Sequence, residues 1–383
     1  MPRHRRPHKQ PFPARQPYNQ RTPLDFALDQ LKSYEADSDK QRLQTLVYLE
    51  KVLAHWAGQV LSHTKGNPWS RPRVALVTFG SYRLGVHRKA SDIDVLAVAP
   101  PSFTRDDFFS SLVEILRRDS RVADLHPIPG AYTPVIKFVL MGYQIDMLFA
   151  RVKDDTRLME YQSSRISPLV DKTRSPEPRI EYMITDEDLA DLDGAGVRSM
   201  NGSRVSQLIL QMIPHYENFK TALRAIKEWA VQVGVYSNVL GFMGGINWAI
   251  MVAFICMRYP DANNMKLVKL FFRTFSGWKW PKPVLLAPPQ TVPPPGVPPL
   301  QVWDPRVDPR DRLHICPIIT PAYPSMNSAY NMGYPQLRRI QDEMIRARNI
   351  FSDQNWDLSA LFEPSDFFTR HEHFVQVTFS ATN

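Results

Sequence analysis

Cysteine is nearly absent from this 383-residue chain, which holds only Cys256 and Cys316. Two cysteines so far apart form no disulfide framework and no metal-binding spacing, so we expect a reducing compartment. The chain shows no internal repeat, which argues against a repeat architecture. With 43% hydrophobic and 22% charged residues, the composition predicts a packed globular protein of two or three domains.

One uncharged stretch, residues 239–257, approaches the length of a membrane span. Three glycines and Asn247 interrupt its first half, and the uninterrupted apolar part, residues 248–257, is only about half a span. We therefore interpret it as a buried core helix and expect no membrane association.

Acidic residues are missing from residues 1–22, which carry six of the basic residues behind the net charge of +9. This segment is rich in proline and poor in large apolar residues, so we expect a disordered basic tail. A solvated tail, a nuclear import signal and an arm that contacts phosphate all fit this composition.

The first half of the chain alternates helical and strand patterns. In chain order these are two helices within 23–61, strands at 73–80 and 93–98, a helix at 105–118, and a hairpin of two strands at 134–151. This order predicts a small mixed sheet backed by helices.

The second half is mostly helical after a polar loop or insertion at residues 154–181. Helical patterns recur between 206 and 278 and again at 334–351, so the fold class is α+β. The proline-rich residues 288–300 indicate an exposed loop or, alternatively, a ligand for a proline-binding partner. Residues 373–383 alternate like a strand, but a lone terminal strand has little to pair with.

Two aspartates open an apolar segment that has the composition of a strand buried on both faces. Asp92 and Asp94 are two residues apart in "DIDVLAV", so both side chains lie on one face of the strand. Adjacent carboxylates repel each other unless a cation lies between them, and Mg²⁺ prefers such ligands together with phosphate oxygens. Asp146 is a third acid in an apolar strand. If the hairpin lies beside the 93–98 strand, the three converge into the outline of a two-metal site.

A glycine-serine pair, Gly80-Ser81, comes just before these acids. Glycine allows the backbone to approach a phosphate closely, and amides with a small hydroxyl can hold its oxygens. Alone the pair is typical of an ordinary turn, whereas with the Asp-x-Asp and a distal strand aspartate it indicates a nucleotide site.

Several sequence blocks resemble the eukaryotic, nuclear-type poly(A) polymerases of the polymerase β-like nucleotidyltransferase superfamily. The blocks are "FGSYRLGVHRKASDIDVLAVAP", "SMNGSRVSQLIL", "NFKTALRAIKEWAVQVGVYSNVLGFMGGINWA" and "VWDPRVDPRDRLHICPIITPAYPSMNSAYN". The resemblance covers roughly residues 22–374, in the family's order.

The resemblance implies a domain organisation. A mixed-sheet nucleotidyltransferase catalytic domain is expected at 23–153, with N-terminal helices that could pack on the central domain. A helical central domain is expected at 154–350. Residues 351–383 resemble only the start of an RRM-like RNA-binding domain, so the C-terminal domain is expected to be largely absent.

The resemblance also implies site residues. Asp92, Asp94 and Asp146 are expected to be catalytic and to hold two Mg²⁺ or Mn²⁺ ions. The same acids are expected to bind ATP together with Phe79, Gly80, Ser81, Arg88, Asn201, Lys227, Tyr236, Gly245 and Ile246.

Some of these assignments have plainer alternatives. On spacing alone, Lys227 is typical of a solvated helix lysine, Tyr236 of a half-buried tyrosine, and Asn201 of a helix cap or turn. Arg88 stands where the family usually has threonine. Two further residues that the resemblance places near the adenine are Val135 and Thr320.

The expected function is template-independent transfer of AMP from ATP to the 3′ end of RNA. Expected partners are the RNA 3′ end, ATP and RNA 3′-end processing factors, in the nucleus. Three alternatives stay open: a uridylyl- or CCA-adding transferase, a non-catalytic RNA-binding scaffold, and a fragment that binds ATP but extends RNA poorly.

Overall fold

The computed structural model describes residues 22–31, 37–62, 74–153, 184–353, 357–364, 369 and 372–380. Apart from Thr22, the expected basic tail lies outside these residues, as does the polar segment 154–181.

A five-stranded mixed sheet forms the first half of the chain. The strands are β1 Ala75–Thr78, β2 Ile93–Ala99, β3 Val122–Ile128, β4 Val135–Leu140 and β5 Tyr143–Arg151. Their order is β1-β2-β5-β4-β3, with β2 and β5 parallel and the other pairs antiparallel. The predicted mixed sheet is confirmed, and the hairpin strand does lie beside β2.

Strand β2 is buried on both faces, as its composition predicts. Val95 packs on one side in a cluster with Trp56, whereas Leu96 packs on the other with Met200. Because Met200 belongs to the helical half of the chain, β2 lies at the junction of the two halves.

Within the described residues, the first half of the chain contains four helices, and the two predicted within 23–61 are confirmed. They are α1 Pro23–Gln30, α2 Asp37–Ser62, the short α3 Gly80–Arg83, and α4, which comprises Arg105–Asp107, a π-helical turn Phe108–Leu112 and Val113–Arg118.

The short helix α1 packs on the helical half rather than on the sheet. A capping box between Thr22 and Asp25 closes its N-terminus, and Leu24 and Leu28 join the helical core.

The part of the helical half that the structure describes, from residue 184 onward, contains five longer helices. They are α5 Gly194–Met212, α6 Tyr216–Gln232, α7 Gly245–Arg258, α8 Asn264–Phe275 and α9 Tyr334–Ile350. Short 3₁₀ turns occupy Glu187–Leu189, Asn238–Leu240, Asp311–Leu313 and Ser359–Phe362. Trp229, Trp248 and Phe272 meet edge-on in the centre of this core.

The uncharged stretch 239–257 is a buried core helix over its second half only. Helix α7 begins at Gly245, and Trp248 is fully buried, whereas Val239 is 92% exposed in the preceding 3₁₀ turn. Within the described residues, no helix combines the length and apolar character needed to cross a bilayer.

The structure differs from the expectations in three places. The sequence predicts four strands in the first half of the chain, whereas the sheet also contains β3, whose side chains are mostly exposed or half-exposed and whose Pro127 argues against a strand. Residues 373–380 form no strand with other described residues, and Val375 and Phe379 are about nine-tenths exposed. The proline-rich loop is not wholly exposed, because Val297 is buried and Leu300 N–H donates to the Tyr323 hydroxyl.

Candidate active site

The three acids converge at the start of the paired strands β2 and β5. Parallel pairing sets Asp94 directly opposite Asp146, and Asp92 comes one residue before β2 begins. One oxygen from each carboxylate lies within 4.8 Å of the others. The convergence predicted from the sequence is therefore present.

Burial and mutual repulsion disfavour the charged forms of Asp92 and Asp94 in the acidic cluster. Burial, followed by the charges of Asp92 and Asp146, raises the pKa of Asp94 to about 7. Burial, followed by the charge of Asp146, also raises the pKa of Asp92. On β4, opposite Asp146, Lys137 forms an ion pair with that carboxylate. The cluster thus already attracts one cationic group.

This donor set fits a divalent metal centre. All ligand groups are carboxylate oxygens, which hard cations such as Mg²⁺ prefer, and the cluster faces a cavity where substrate oxygens could complete the coordination. The three acids could therefore hold divalent metal.

The Gly80-Ser81 turn lies directly against Asp94. Gly80 has a φ of +62°, and a Cβ at this position would come within 2.1 Å of the Asp94 Oδ2. The Gly80 N–H donates to the Ser206 hydroxyl at 3.3 Å, which ties the turn to helix α5. Only glycine fits the conformation and the close approach at once.

A cavity of about 500 Å³ opens beside this turn, between the sheet and the helical half. Ten of the sequence-predicted residues line it: Phe79, Gly80, Ser81, Asp92, Asp94, Asn201, Lys227, Tyr236, Gly245 and Ile246. Thr320 also lines it. Asp146 joins the site through the acidic cluster rather than through the cavity wall.

Lys227 is a buried cavity residue rather than a solvated helix lysine. Its side chain is 3% exposed, and its ammonium donates to the Val86 carbonyl at 2.8 Å. Burial, followed by the nearby charges of Arg88 and Arg224, lowers its pKa to about 8. Arg224 donates to the Gly85 carbonyl at 2.7 Å, so α6 holds the segment after α3 at adjacent residues.

Tyr236 and Gly245 meet at the end of the cavity formed by the helical half. Burial, followed by the charge of Asp92, raises the pKa of Tyr236. A Cβ at Gly245 would lie 3.1 Å from the Tyr236 hydroxyl, so the small residue at the start of α7 leaves room for that group.

Asn201 and Thr320 belong to polar networks on the cavity wall. The Asn201 side-chain amide donates to the Pro324 carbonyl at 3.4 Å. The Thr320 hydroxyl accepts from the Met326 N–H at 3.0 Å. Asn201 lies within α5 and is neither a helix cap nor a turn residue.

Besides Asp146, two further sequence-predicted residues lie away from the cavity wall. Arg88 donates to the fully buried carboxylate of Glu228 at 3.2 Å instead of lining the cavity. Val135 is buried in β4, opposite Leu148 of β5, and does not line the cavity.

The cavity wall also contains ten residues that the sequence reasoning missed: Leu84, Val86, Ser91, Tyr132, Thr133, Arg198, Gly202, Val205, Ser206 and Met326. The Arg198 guanidinium lies 4.2 Å from the Tyr132 ring centre and donates to the Tyr132 carbonyl at 2.7 Å. Arg198 is three residues before Asn201 on α5, a helical spacing that could have revealed it. Tyr132 and Thr133 precede β4 in an irregular turn, where periodicity gives no signal.

Two protein-family models match the chain. Residues 6–157 match the poly(A) polymerase nucleotidyltransferase domain, and residues 218–364 match the poly(A) polymerase central domain. Together they cover more than three quarters of the chain. The chain belongs to the poly(A) polymerase family.

Curated members of the poly(A) polymerase family agree with this assignment. Nuclear poly(A) polymerase 1 of Arabidopsis thaliana is 39% identical over 94% of this chain and 48% of its own length. Poly(A) polymerase of Dictyostelium discoideum is 36% identical over 93% of this chain and 42% of its own length. The chain therefore spans about half the length of the curated relatives it matches.

Solved structures share the fold at low identity. A structure of Cid1 in complex with its short product ApU has a TM-score of 0.54 at 14% identity, covering 89% of this chain and 98% of that chain. A structure of a cytoplasmic RNA terminal U-transferase has a TM-score of 0.52 at 13% identity, covering 89% and 97%. At these identities the likeness establishes the nucleotidyltransferase fold.

Proposed function

We propose that this chain transfers AMP from ATP to the 3′-hydroxyl of RNA without a template and releases pyrophosphate. The observation that carries the proposal is the convergence of three carboxylates beside a glycine-serine turn, in a cavity shared by both halves of the chain. Membership of the poly(A) polymerase family supports the choice of ATP.

The chain's own groups can bind and orient a nucleoside triphosphate. The Gly80-Ser81 turn would hold triphosphate oxygens, and the Lys227 ammonium and Tyr236 hydroxyl would offset their charge. Asn201, Gly245 and Ile246 would contact the nucleoside, and Phe79 would contact ATP from the same cavity wall. This arrangement would place the α-phosphate next to the acidic cluster, in line with an incoming 3′-hydroxyl.

Asp92, Asp94 and Asp146 would hold the divalent ions, for which we propose two Mg²⁺ or Mn²⁺. When bound, such ions supply activation of the attacking hydroxyl and neutralise charge at phosphorus. The 3′-oxygen forms a bond to the α-phosphorus as the bond to the pyrophosphate oxygen breaks, and the hydroxyl proton leaves to water.

The proposal also covers the domain organisation, the basic tail, the cellular location and the partners of the protein. We propose residues 23–153 as the catalytic domain, 154–350 as the central domain and 351–383 as the start of an RNA-binding domain. The basic tail, residues 1–22, would contact RNA phosphates or direct nuclear import. We also propose a nuclear location, which the names of the nuclear relatives support, and RNA 3′-end processing factors as partners.

Incubation with an oligo(A) primer and each NTP in turn, with Mg²⁺ or Mn²⁺, tests the proposed function. We expect stepwise primer extension with ATP and little with the other three nucleotides. Preferential extension with UTP would assign the chain to uridylyl transfer. No extension with any nucleotide and either metal would contradict catalysis and favour a binding role.

Replacing Lys227 with methionine is expected to raise the KM for ATP about tenfold or more, because a buried charge-assisted contact to the triphosphate is lost. Steady-state primer extension measures this change. Lys266→Met, an exposed lysine replaced on α8, is the matched control and should leave KM unchanged. An unaltered KM in the Lys227 variant would remove this residue from the nucleotide site.

A further inference from the structure

Arg42 is a fully buried arginine on helix α2, outside the cavity wall. Burying a guanidinium is costly unless its charge and donors are compensated. One of its nitrogens, Nη2, donates to the carbonyls of Arg88 at 3.2 Å, Lys89 at 2.8 Å and Ser91 at 2.7 Å. These three carbonyls belong to the turn that ends at Asp92.

The same guanidinium also touches the other acid-bearing strand. Its centre lies 4.7 Å from the ring centre of Tyr143, the first residue of β5, three residues before Asp146. The Tyr143 hydroxyl donates to the Gln41 side chain at 3.0 Å, next to Arg42 on α2. Helix α2 therefore contacts the backbone leading to Asp92 and the strand leading to Asp146.

A second contact ties the start of this turn to the same helix. His87 is 7% exposed, and its Nε2 lies 2.6 Å from the Asp39 Oδ1. Asp39 precedes Arg42 by three residues, nearly one helical turn. Residues 87–91 are thus attached to α2 at both ends, by His87 and by the carbonyls that Arg42 binds.

The three acids differ in what holds them. Asp94 and Asp146 are partners in the parallel β2–β5 ladder, so strand pairing fixes their separation. Asp92 precedes the first residue of β2, and its position depends on the turn before it. A carboxylate displaced by about 1 Å is poorly placed to share an ion.

We infer that Arg42 is a positioning residue that holds Asp92 at the distance from Asp94 and Asp146 at which the three carboxylates bind divalent ions together. The role of Arg42 in AMP transfer rests on the proposed function, whereas the effect of Arg42 on metal affinity can be measured independently of that function. A purely structural role would lower stability without changing the metal affinity of the folded protein.

The test compares Arg42→Met and Arg42→Lys with the wild-type chain and with Lys51→Met, an exposed substitution on the same helix. Mn²⁺ binding is measured without nucleotide, from the electron paramagnetic resonance signal of free Mn²⁺. Thermal unfolding monitors folding, and primer extension gives the Mg²⁺ concentration for half-maximal activity.

We expect Arg42→Met to weaken Mn²⁺ binding about tenfold or more, as other groups that orient metal ligands do. Arg42→Lys keeps the charge but loses the planar fork, so its loss should be smaller yet measurable. Raising the Mg²⁺ concentration should restore part of the activity of both variants. Lys51→Met should bind Mn²⁺ like the wild type.

Wild-type Mn²⁺ affinity in either folded Arg42 variant would overturn the inference. If Arg42→Met does not fold, the Arg42→Lys variant decides the question on its own. Mn²⁺ binding by the wild type without AMP transfer would contradict the proposed function only. Absence of Mn²⁺ binding by the wild type would overturn the inference and the proposed metal centre together.

Discussion

Replacing Asp94 with asparagine is expected to reduce AMP transfer by roughly 10³-fold or more while the protein stays folded. Asparagine keeps the shape that packs against Gly80 but removes the negative charge that a divalent ion requires. In metal-free buffer the variant should unfold at a temperature no lower than the wild type, because one of three mutually repelling charges is gone. Primer extension and thermal unfolding measure the two effects.

The matched control for this substitution is Asp106→Asn, which alters an exposed aspartate in the same half of the chain. It should leave both activity and stability close to wild type. AMP transfer at the wild-type rate in Asp94→Asn would show that the metal assignment is wrong, whatever the fold of the variant.

Replacing Gly80 with alanine is expected to reduce AMP transfer by roughly 100-fold, the effect of a displacement of about 1 Å at a reacting centre. The new Cβ would lie only 2.1 Å from the Asp94 Oδ2, so either the carboxylate or the turn must move. The positive φ of Gly80 adds a backbone cost of about 1 kcal/mol or more.

Gly142→Ala separates the two components of this effect. Gly142 has a φ of +86° in the β4–β5 turn, and a Cβ there would meet nothing within 4 Å. Its alanine variant should therefore share the backbone cost and lose stability, yet transfer AMP at nearly the wild-type rate per folded molecule. Equal losses of activity in the two variants would contradict a special contact between Gly80 and Asp94.

The acidic cluster could be predicted from the sequence because it follows from strand geometry. Side chains two residues apart share a face, which aligned Asp92 with Asp94. The convergence with Asp146 depended on one condition, that its strand lies beside β2, and the structure meets that condition. The glycine-serine turn could be predicted for a similar reason, since its role depends on local backbone freedom.

The burial of Lys227 and the hydrogen-bond partner of Arg88 could not be predicted from the sequence. Nothing in the helical spacing of Lys227 shows that its ammonium lies against the Val86 carbonyl, because that contact joins residues far apart in the chain. Arg88 likewise forms an ion pair with the buried Glu228 instead of lining the cavity, and only the three-dimensional packing reveals this partner.

Strand β3 and the turn before β4 show a third limit. Asp124 and His126 place polar groups on an edge strand, where one side of the ladder needs no partner and the hydrophobic alternation fades. Tyr132 and Thr133 belong to a connection whose path is set by contacts such as that with Arg198. Patterns along the chain carry no information on such paths.

The hold of helix α6 on the segment after α3 has a mechanical consequence. Arg224 and Lys227, in the helical half, donate hydrogen bonds to the consecutive carbonyls of Gly85 and Val86. Any rotation of one half relative to the other must either pivot about these two hydrogen bonds or break them. The Gly80-Ser81 turn and helix α6 would then move together, so the width of the cleft between the two halves would depend on these two contacts.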